Sequence, residues 1–142
     1  AIVANASEND RKHIYNFGVY VGLAFQIQDD ILDLYADPGK FGKQTGGDVI
    51  ANKKTILYLL ARENANDEQL NRLNALSVEQ NRQLKIYETT QLFDEIGVKN
   101  KRVDVMNHYF FLAQQDMHQV SVPEKNKLLL NQISEYLLRR DV

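Results

Sequence analysis

Three features of the sequence predict an all-α fold. Apolar residues recur at intervals of three and four over long stretches, as they do on the buried face of an α-helix. Strand-like alternation of β-branched and aromatic residues does not extend over any useful length. The two prolines, Pro38 and Pro123, both lie beside other residues that break helices. We therefore expect residues 1–142 to form a single all-α segment.

The first predicted helix is unusually long and runs from about residue 8 to about residue 36. Ser7, followed three residues later by Asp10, resembles a capping box in which the shorter acid replaces glutamate. A Pro-Gly pair at 38–39 ends this helix, and the four glycines between residues 37 and 48 predict a loop.

Cap signals place the later helices. Asn66-Asp67 predicts one helix start, and the Ser77 and Gln80 pair predicts the start of a helix that Gly97 ends. Pro123 predicts the first position of the last helix. The predicted helices have the approximate spans 50–64, 67–75, 78–96, 98–119 and 123–140.

Composition excludes several classes of function. Apolar residues make up 44% and charged residues 25%, as in an ordinary globular protein. The net charge of −2 gives no electrostatic support to nucleic-acid binding. The lack of cysteine excludes thiolate zinc sites, thiol nucleophiles and disulfides, and is compatible with the cytoplasm, where we expect the protein. No apolar run approaches the roughly 20 residues of a membrane span.

An acidic stripe lies near the end of the first predicted helix. At about 100° per residue, one arc of about 100° holds Gln26, Asp29, Asp30, Asp33 and Asp37. These carboxylates lie at the negative end of the helix dipole and repel one another, so we expect a positive group to compensate them. A hard divalent cation suits carboxylate oxygens, whereas a solvated acidic face or ion pairs with lysines would also explain the stripe.

Lysines follow the acidic stripe. Lys40 and Lys43 lie in the glycine-rich loop, and Lys53 and Lys54 fall in the predicted first turns of the next helix, whose N-terminus favours anions. Acids at the end of one helix and lysines at the start of the next fit metal-bridged phosphate binding. The loop is not a Walker A motif.

The block Phe-Gln-Ile-Gln-Asp-Asp-Ile-Leu-Asp at residues 25–33 resembles the second aspartate-rich motif of the trans-isoprenyl diphosphate synthases, or polyprenyl synthases. Gly42-Lys43, Gly47-Asp48 and Asn52-Lys53 continue the family pattern, and residues 133–141 resemble its C-terminus. The resemblance implies the isoprenoid synthase helical bundle. It also implies a prenyltransferase that ionises an allylic diphosphate with Mg²⁺ and condenses it with isopentenyl diphosphate.

The acids of this motif have a metal-binding role by resemblance. The resemblance implies that Asp29, Asp30 and Asp33 bind Mg²⁺ on the allylic diphosphate, with Asp29 as the principal ligand. Asp29 and Asp30, together with Lys43, are the implied catalytic residues. Asp37, Lys40 and Lys54 match no role.

The resemblance also implies substrate contacts. Lys43 and Lys53 match lysines that contact the allylic diphosphate, and Gln26 matches a polar contact in the same region. Phe25 matches an aromatic residue of the homoallylic site, although core packing explains it equally well. Gln28, before the aspartate pair, favours a farnesyl or geranylgeranyl type of short-chain synthase.

The sequence departs from the family pattern, because it contains only one aspartate-rich motif and lacks the early basic residues that the family uses for isopentenyl diphosphate. We therefore expect residues 1–142 to be the C-terminal half of a polyprenyl synthase domain, inactive without the N-terminal half that carries the first motif. We also expect an exposed apolar face where that half packs, and the resemblance implies a homodimer. Two alternatives stay open: a non-catalytic helical partner subunit of the same fold, and a class I terpene cyclase.

Overall fold

The computed structural model describes residues 5–36 and 45–138. These residues form helices and contain no strand, which confirms the predicted all-α class. In chain order the helices are α1 (Glu8–Tyr35), α2 (Gly47–Ile50), α3 (Ile56–Asn64), α4 (Asp67–Ser77), α5 (Arg82–Ile96), α6 (Val98–Gln119) and α7 (Glu124–Leu138).

Several predicted helix ends are confirmed. The Asp10 backbone N–H donates to Ser7 Oγ at 3.1 Å, and the Ser7 hydroxyl donates to Asp10 Oδ2 at 2.8 Å, so the predicted pair does start α1. Asn66 and Gln69 form a complete capping box at the start of α4. Gly97 ends α5 with a φ of 77°, a left-handed conformation that glycine adopts without cost.

Two predicted helix starts are wrong. The helix predicted from residue 50 is interrupted, because α2 ends at Ile50 and α3 begins only at Ile56. Ser77 does not open α5, since it is the last residue of α4 and its hydroxyl donates to the Asn74 carbonyl at 2.6 Å. Asn81 caps α5 instead, accepting from the Leu84 N–H at 3.2 Å.

The chain divides into two compact units, and the first contains residues 5–28 and 105–138. Its buried cluster lies between α1 and α6 and consists of Phe17, Ala113, Met117 and Val120. Polar contacts add to this packing, since His13 Nδ1 lies 2.6 Å from Asp116 Oδ1. No helix in the described residues has both the length and the apolarity that a membrane crossing needs.

The second unit contains residues 29–36 and 45–104. Helix α5 is its centre and packs against α2, α3 and α4. Leu92 and Phe93 of α5 are almost fully buried, as are Ile31 at the end of α1 and Leu57 in α3. Burial of this apolar surface fixes the acid-bearing end of α1 within the same unit as the lysine-bearing segment before α3.

Candidate functional site

A cavity in the second unit brings predicted acids and a predicted lysine together. It has a volume of about 40 Å³, and Asp30, Asp33 and Lys53 all line it. The segment between α2 and α3, residues 51–55, forms part of its wall and is called the α2–α3 turn below. The acidic end of α1 therefore faces the turn that the sequence places after the glycine-rich loop.

Asp30 is compensated by the start of a helix. Its side chain is buried, and its Oδ2 accepts from the Ile56 N–H, the first residue of α3, at 3.0 Å. A helix N-terminus carries partial positive charge and unpaired N–H groups, so it stabilises this carboxylate. The expectation that Lys53 and Lys54 occupy this N-terminus is wrong, because both precede Thr55, the N-cap of α3.

Asp33 lies in a more strained electrostatic setting. Its Oδ2 accepts from the Asp48 N–H at 3.0 Å, and its backbone carbonyl accepts from the Gly46 N–H at 2.6 Å. Burial raises the pKa of Asp33 above its ordinary value, and the nearby Asp48 carboxylate raises it further. Backbone N–H donors and Lys53 oppose these effects without cancelling them.

Gly46 makes the approach of α2 to α1 possible. Its φ of 79° is left-handed, and a Cβ added there would lie only 2.6 Å from the nearest Ile86 side-chain atom. Any larger residue would therefore combine backbone strain with a clash against α5. The short distance between Gly46 and the Asp33 carbonyl depends on this absence of a side chain.

Lys53 provides the positive charge of the site. Its Nζ donates to Asp48 Oδ2 at 2.8 Å, and its side chain remains 52% exposed. The bond to Asp48 raises the pKa of Lys53, with smaller contributions from the Asp30 and Asp33 carboxylates. Asp48 was not predicted from the sequence as the partner of Lys53, although the two residues are only five positions apart.

The other predicted site residues are distributed unevenly. Asp29 and Gln26 are exposed, Phe25 is half-buried, and none of the three lines the cavity. Lys43 lies outside the described residues, so its implied contact with the allylic diphosphate stays a prediction. Lys54 is exposed, and its Nζ lies 4.0 Å from the centre of the Tyr58 ring.

Within the described residues, no three His, Cys, Asp or Glu side chains are arranged to hold a metal ion by themselves. The acids are nevertheless the oxygen donors that hard cations prefer. The charge of Asp48 is close enough to Asp33 to raise the pKa of Asp33, which is a repulsion that a bound cation would relieve.

Comparison with known proteins assigns the family. The family model described as polyprenyl synthetase matches residues 1–96, a span that includes the acidic end of α1 and the α2–α3 turn. The chain belongs to the polyprenyl synthetase family, which confirms the resemblance noted in its aspartate-rich motif.

Curated relatives agree with this assignment. The chain is 30% identical to the geranylgeranyl pyrophosphate synthase of Geoglobus acetivorans, over 99% of this chain and 42% of the relative. It is 43% identical over 65 residues to the farnesyl diphosphate synthase of Bacillus subtilis, which is 46% of this chain and 22% of that relative. Even where the match takes in nearly all of this chain, as with the Geoglobus protein, the chain spans about two fifths of the relative's length.

Solved structures confirm the helical fold. The geranylgeranyl pyrophosphate synthetase of Pyrococcus horikoshii matches with a TM-score of 0.81 and 26% identity, over 95% of this chain and 41% of that one. A polyprenyl synthetase of Streptomyces coelicolor matches with a TM-score of 0.83 over 94% of this chain and 41% of that one. Its 21% identity supports the shared fold alone.

Proposed function

We propose that these residues supply one wall of the diphosphate site of a short-chain prenyltransferase, of the farnesyl or geranylgeranyl type. The reaction would join an allylic diphosphate to isopentenyl diphosphate. The observation that carries this proposal is the meeting of Asp33, Asp48 and Lys53 at one cavity, inside the residues that match the family. The names of the relatives support the substrate class.

The residues present fit Mg²⁺ as a partner of the diphosphate. Mg²⁺ usually takes one or two protein carboxylates and completes its shell with water and substrate phosphate oxygens, so a three-carboxylate cage is not required. Asp29, exposed on α1, and Asp33, crowded by Asp48, are the acids best placed to serve it. Asp30 is buried and also bonded to the Ile56 N–H, which makes it the least accessible of the three predicted ligands. When bound, Mg²⁺ would neutralise negative charge on the departing diphosphate.

Lys53 would bind the diphosphate directly. An ammonium group has three N–H donors, so Lys53 can keep its bond to Asp48 and still donate to a phosphate oxygen. Its exposed side chain and raised pKa keep it available and charged. Lys43, by resemblance, would supply a second ammonium to the same group.

The proposed chemistry needs no side-chain nucleophile. The allylic C–O bond breaks, and the diphosphate leaves with the electron pair while Lys53 and Lys43 hold its oxygens. The double bond of isopentenyl diphosphate then attacks the allylic cation and the new C–C bond forms, after which the condensed product loses a proton to the released diphosphate. Charge stabilisation and positioning therefore provide the catalysis.

An exposed apolar stripe on α1 supports the proposal that a further helical segment packs against this helix. Tyr15, Val19 and Leu23 recur every four residues on α1 and are all exposed, and Gly18 and Gly22 leave open space between them. We include in the proposal a segment with the first aspartate-rich motif that packs on this stripe. A homodimeric state and a cytoplasmic location, both implied by the resemblance, belong to the same proposal.

The direct test is an assay of the full-length gene product with Mg²⁺, isopentenyl diphosphate and allylic primers of several lengths. We expect condensation, and we expect Asp29→Ala to reduce the rate about a hundredfold or more, as the loss of one electrostatic stabiliser does. Asp10→Ala is the matched control, because Asp10 lies near the other end of α1 and contacts Ser7 and Ser121.

Three outcomes would contradict the proposal. The first is absence of condensation by the wild-type protein, and the second is an Asp29→Ala variant as fast as the control. The third is diphosphate release from an allylic primer that does not depend on isopentenyl diphosphate, which would favour a terpene cyclase. For the 142 residues alone we expect no turnover, and robust turnover would refute the need for a second segment.

A further inference from the structure

Lys85 is a buried cation that the proposed chemistry does not use. It lies in the first turn and a half of α5, and only 5% of its surface is exposed. Burying an ammonium is costly, and a cation near a helix N-terminus opposes the helix dipole. Lys85 also lines the cavity that Asp33 and Lys53 line. A lysine in this position therefore needs a specific partner.

The partners of Lys85 are two oxygens of neighbouring elements. Its Nζ donates to Asn52 Oδ1 at 2.8 Å and to the Ser77 carbonyl, at the end of α4, at 3.3 Å. Asn52 Nδ2 donates to the same Ser77 carbonyl at 3.0 Å. Both ends of the Asn52 amide are thus engaged, and the helix C-terminus supplies negative charge for the ammonium.

Asn52 occupies the position that determines the shape of the α2–α3 turn. Its φ of 52° is left-handed, which asparagine tolerates better than most residues. Its N–H donates to the Val49 carbonyl at 3.1 Å, and the Lys53 N–H donates to the Asp48 carbonyl at 3.0 Å. These two bonds are the pair that defines a Schellman motif at the end of α2. Lys53, the next residue, therefore takes its position from the conformation of Asn52.

We propose that Lys85 is a positioning residue that acts through Asn52 and holds Lys53 in place for the diphosphate. The chain of contacts runs from the Lys85 ammonium to the Asn52 amide, through the left-handed backbone, to the Lys53 side chain at Asp48. The inference rests on the proposed function, because it assigns Lys85 a part in diphosphate binding. It adds a residue that lies outside the aspartate-rich motif and its downstream lysines.

Stability alone does not explain a lysine at this position. Burying an ammonium costs desolvation free energy that burying an apolar side chain of similar volume does not. The neighbouring buried positions of α5 are Thr89, Leu92, Phe93 and Ile96, so methionine at position 85 would extend an existing buried face. What methionine cannot do is donate a hydrogen bond to the Asn52 amide oxygen.

The test uses three variants of the full-length gene product: Lys85→Met, Asn52→Gly and the two combined. Glycine at position 52 keeps the left-handed backbone but removes the amide that Lys85 contacts. Lys127→Met is the matched control, because Lys127 is also buried and donates to the His118 carbonyl and to Glu124 in the first unit. Two readouts are measured: the Kd for inorganic diphosphate with Mg²⁺, by calorimetry, and hydrogen exchange of the Lys53 amide, by NMR.

We expect Lys85→Met to raise the diphosphate Kd about tenfold, the effect of losing one charge-assisted hydrogen bond. Asn52→Gly should give a similar loss, and the double variant should be no worse than either, because both changes break one linkage. Both should accelerate exchange of the Lys53 amide, whereas Lys127→Met should alter neither readout.

A wild-type Kd and a protected Lys53 amide in Lys85→Met would overturn the inference. Losses that multiply in the double variant would overturn it as well, because the residues would then act independently. If Lys85→Met fails to fold, Asn52→Gly and its Lys53 amide decide the question. If the wild-type protein neither binds diphosphate nor condenses substrates, the proposed function fails, and the Lys53 amide still reports whether Lys85 holds the turn.

Discussion

The two ends of α1 present the same hydrogen bond in opposite electrostatic settings. Near the N-terminus, Asp10 Oδ1 accepts from the Ser121 N–H at 2.7 Å, and toward the C-terminus, Asp33 Oδ2 accepts from the Asp48 N–H at 3.0 Å. The pKa of Asp10 is lowered, first by that bond and then by the Ser7 hydroxyl. The pKa of Asp33 is raised, because burial and the Asp48 carboxylate outweigh its N–H donors.

This difference distinguishes an acid whose ionisation suits the fold, Asp10, from Asp33, the acid for which we propose a cationic ligand. Asp10 is at the helix end that favours an anion, so its ionisation and the fold support each other. Asp33 is at the end that disfavours an anion, and it is half-buried next to another carboxylate. A carboxylate kept at some cost in stability is expected where a cationic ligand binds, which agrees with the role proposed for the C-terminal end of α1.

Among the tests of this contrast, the largest effect should follow removal of Lys53, which lies in the α2–α3 turn and lines the cavity with Asp30 and Asp33. Lys53→Ala should raise the Kd for inorganic diphosphate with Mg²⁺ at least about tenfold, because it removes a charge-assisted donor. Its effect on the melting temperature should be small, since the ion pair with Asp48 is partly exposed to solvent. Lys54→Ala is the adjacent control and should bind diphosphate as the wild type does. Equal losses in the two variants would show that only the general positive charge matters.

A smaller effect, with opposite signs at the two ends, should appear in stability. Asp33→Asn should raise the melting temperature by about 2 °C, because it removes a repelled charge while keeping an oxygen for the Asp48 N–H. Asp10→Asn should lower the melting temperature, because its charge is favoured in the folded state. Thermal unfolding followed by circular dichroism measures both, and changes of the same sign would contradict the contrast. Asp33→Asn should also weaken diphosphate binding, whereas Asp10→Asn should not.

The smallest effect should be the pH dependence of the changes in melting temperature that Asp33→Asn and Asp10→Asn cause. Folding lowers the pKa of Asp10, so its contribution is present above the ordinary value of 3.8 and is lost as the pH falls through the lowered pKa. Folding raises the pKa of Asp33, so its cost appears as the pH rises above 3.8. The gain in Asp33→Asn should therefore vanish on titration from about pH 7 to about pH 3. A gain that is constant over this range would indicate packing instead of charge.

Local signals in the sequence were sufficient for most of the helices. The start of α1 at Ser7 and the end of α5 at Gly97 follow from side chains and backbone conformations that act within a few residues. The Ser77 signal failed because its hydroxyl had a competing acceptor, the Asn74 carbonyl of its own helix. Local rules cannot choose between two uses of one hydroxyl.

The break before α3 and the state of Asp30 could not be read locally. Asn52, which departs from the helical conformation, accepts a hydrogen bond from Lys85, a residue 33 positions later in the sequence. Asp30 accepts a hydrogen bond from the N–H of Ile56, 26 positions later. Periodicity records which residues are buried but not which polar groups meet. A signal for Lys85 was available, because the spacing to Thr89, Leu92 and Phe93 puts it on the buried face of α5.

Gly46 links sequence drift in two distant parts of the chain. Position 46 has no room for a side chain while Ile86 stands opposite it, and its left-handed φ penalises other residues even without Ile86. A smaller residue at position 86 would therefore remove the clash and leave the backbone penalty. Substitution of Ile86 by a smaller residue does not create a clash with Gly46, whereas a side chain at position 46 fits only after position 86 has become smaller. Geometry thus sets the order of these two changes. If position 86 changes first, a later side chain at position 46 meets no clash and the Gly46–Asp33 hydrogen bond can persist; if position 46 changes first, the clash with Ile86 disrupts that bond.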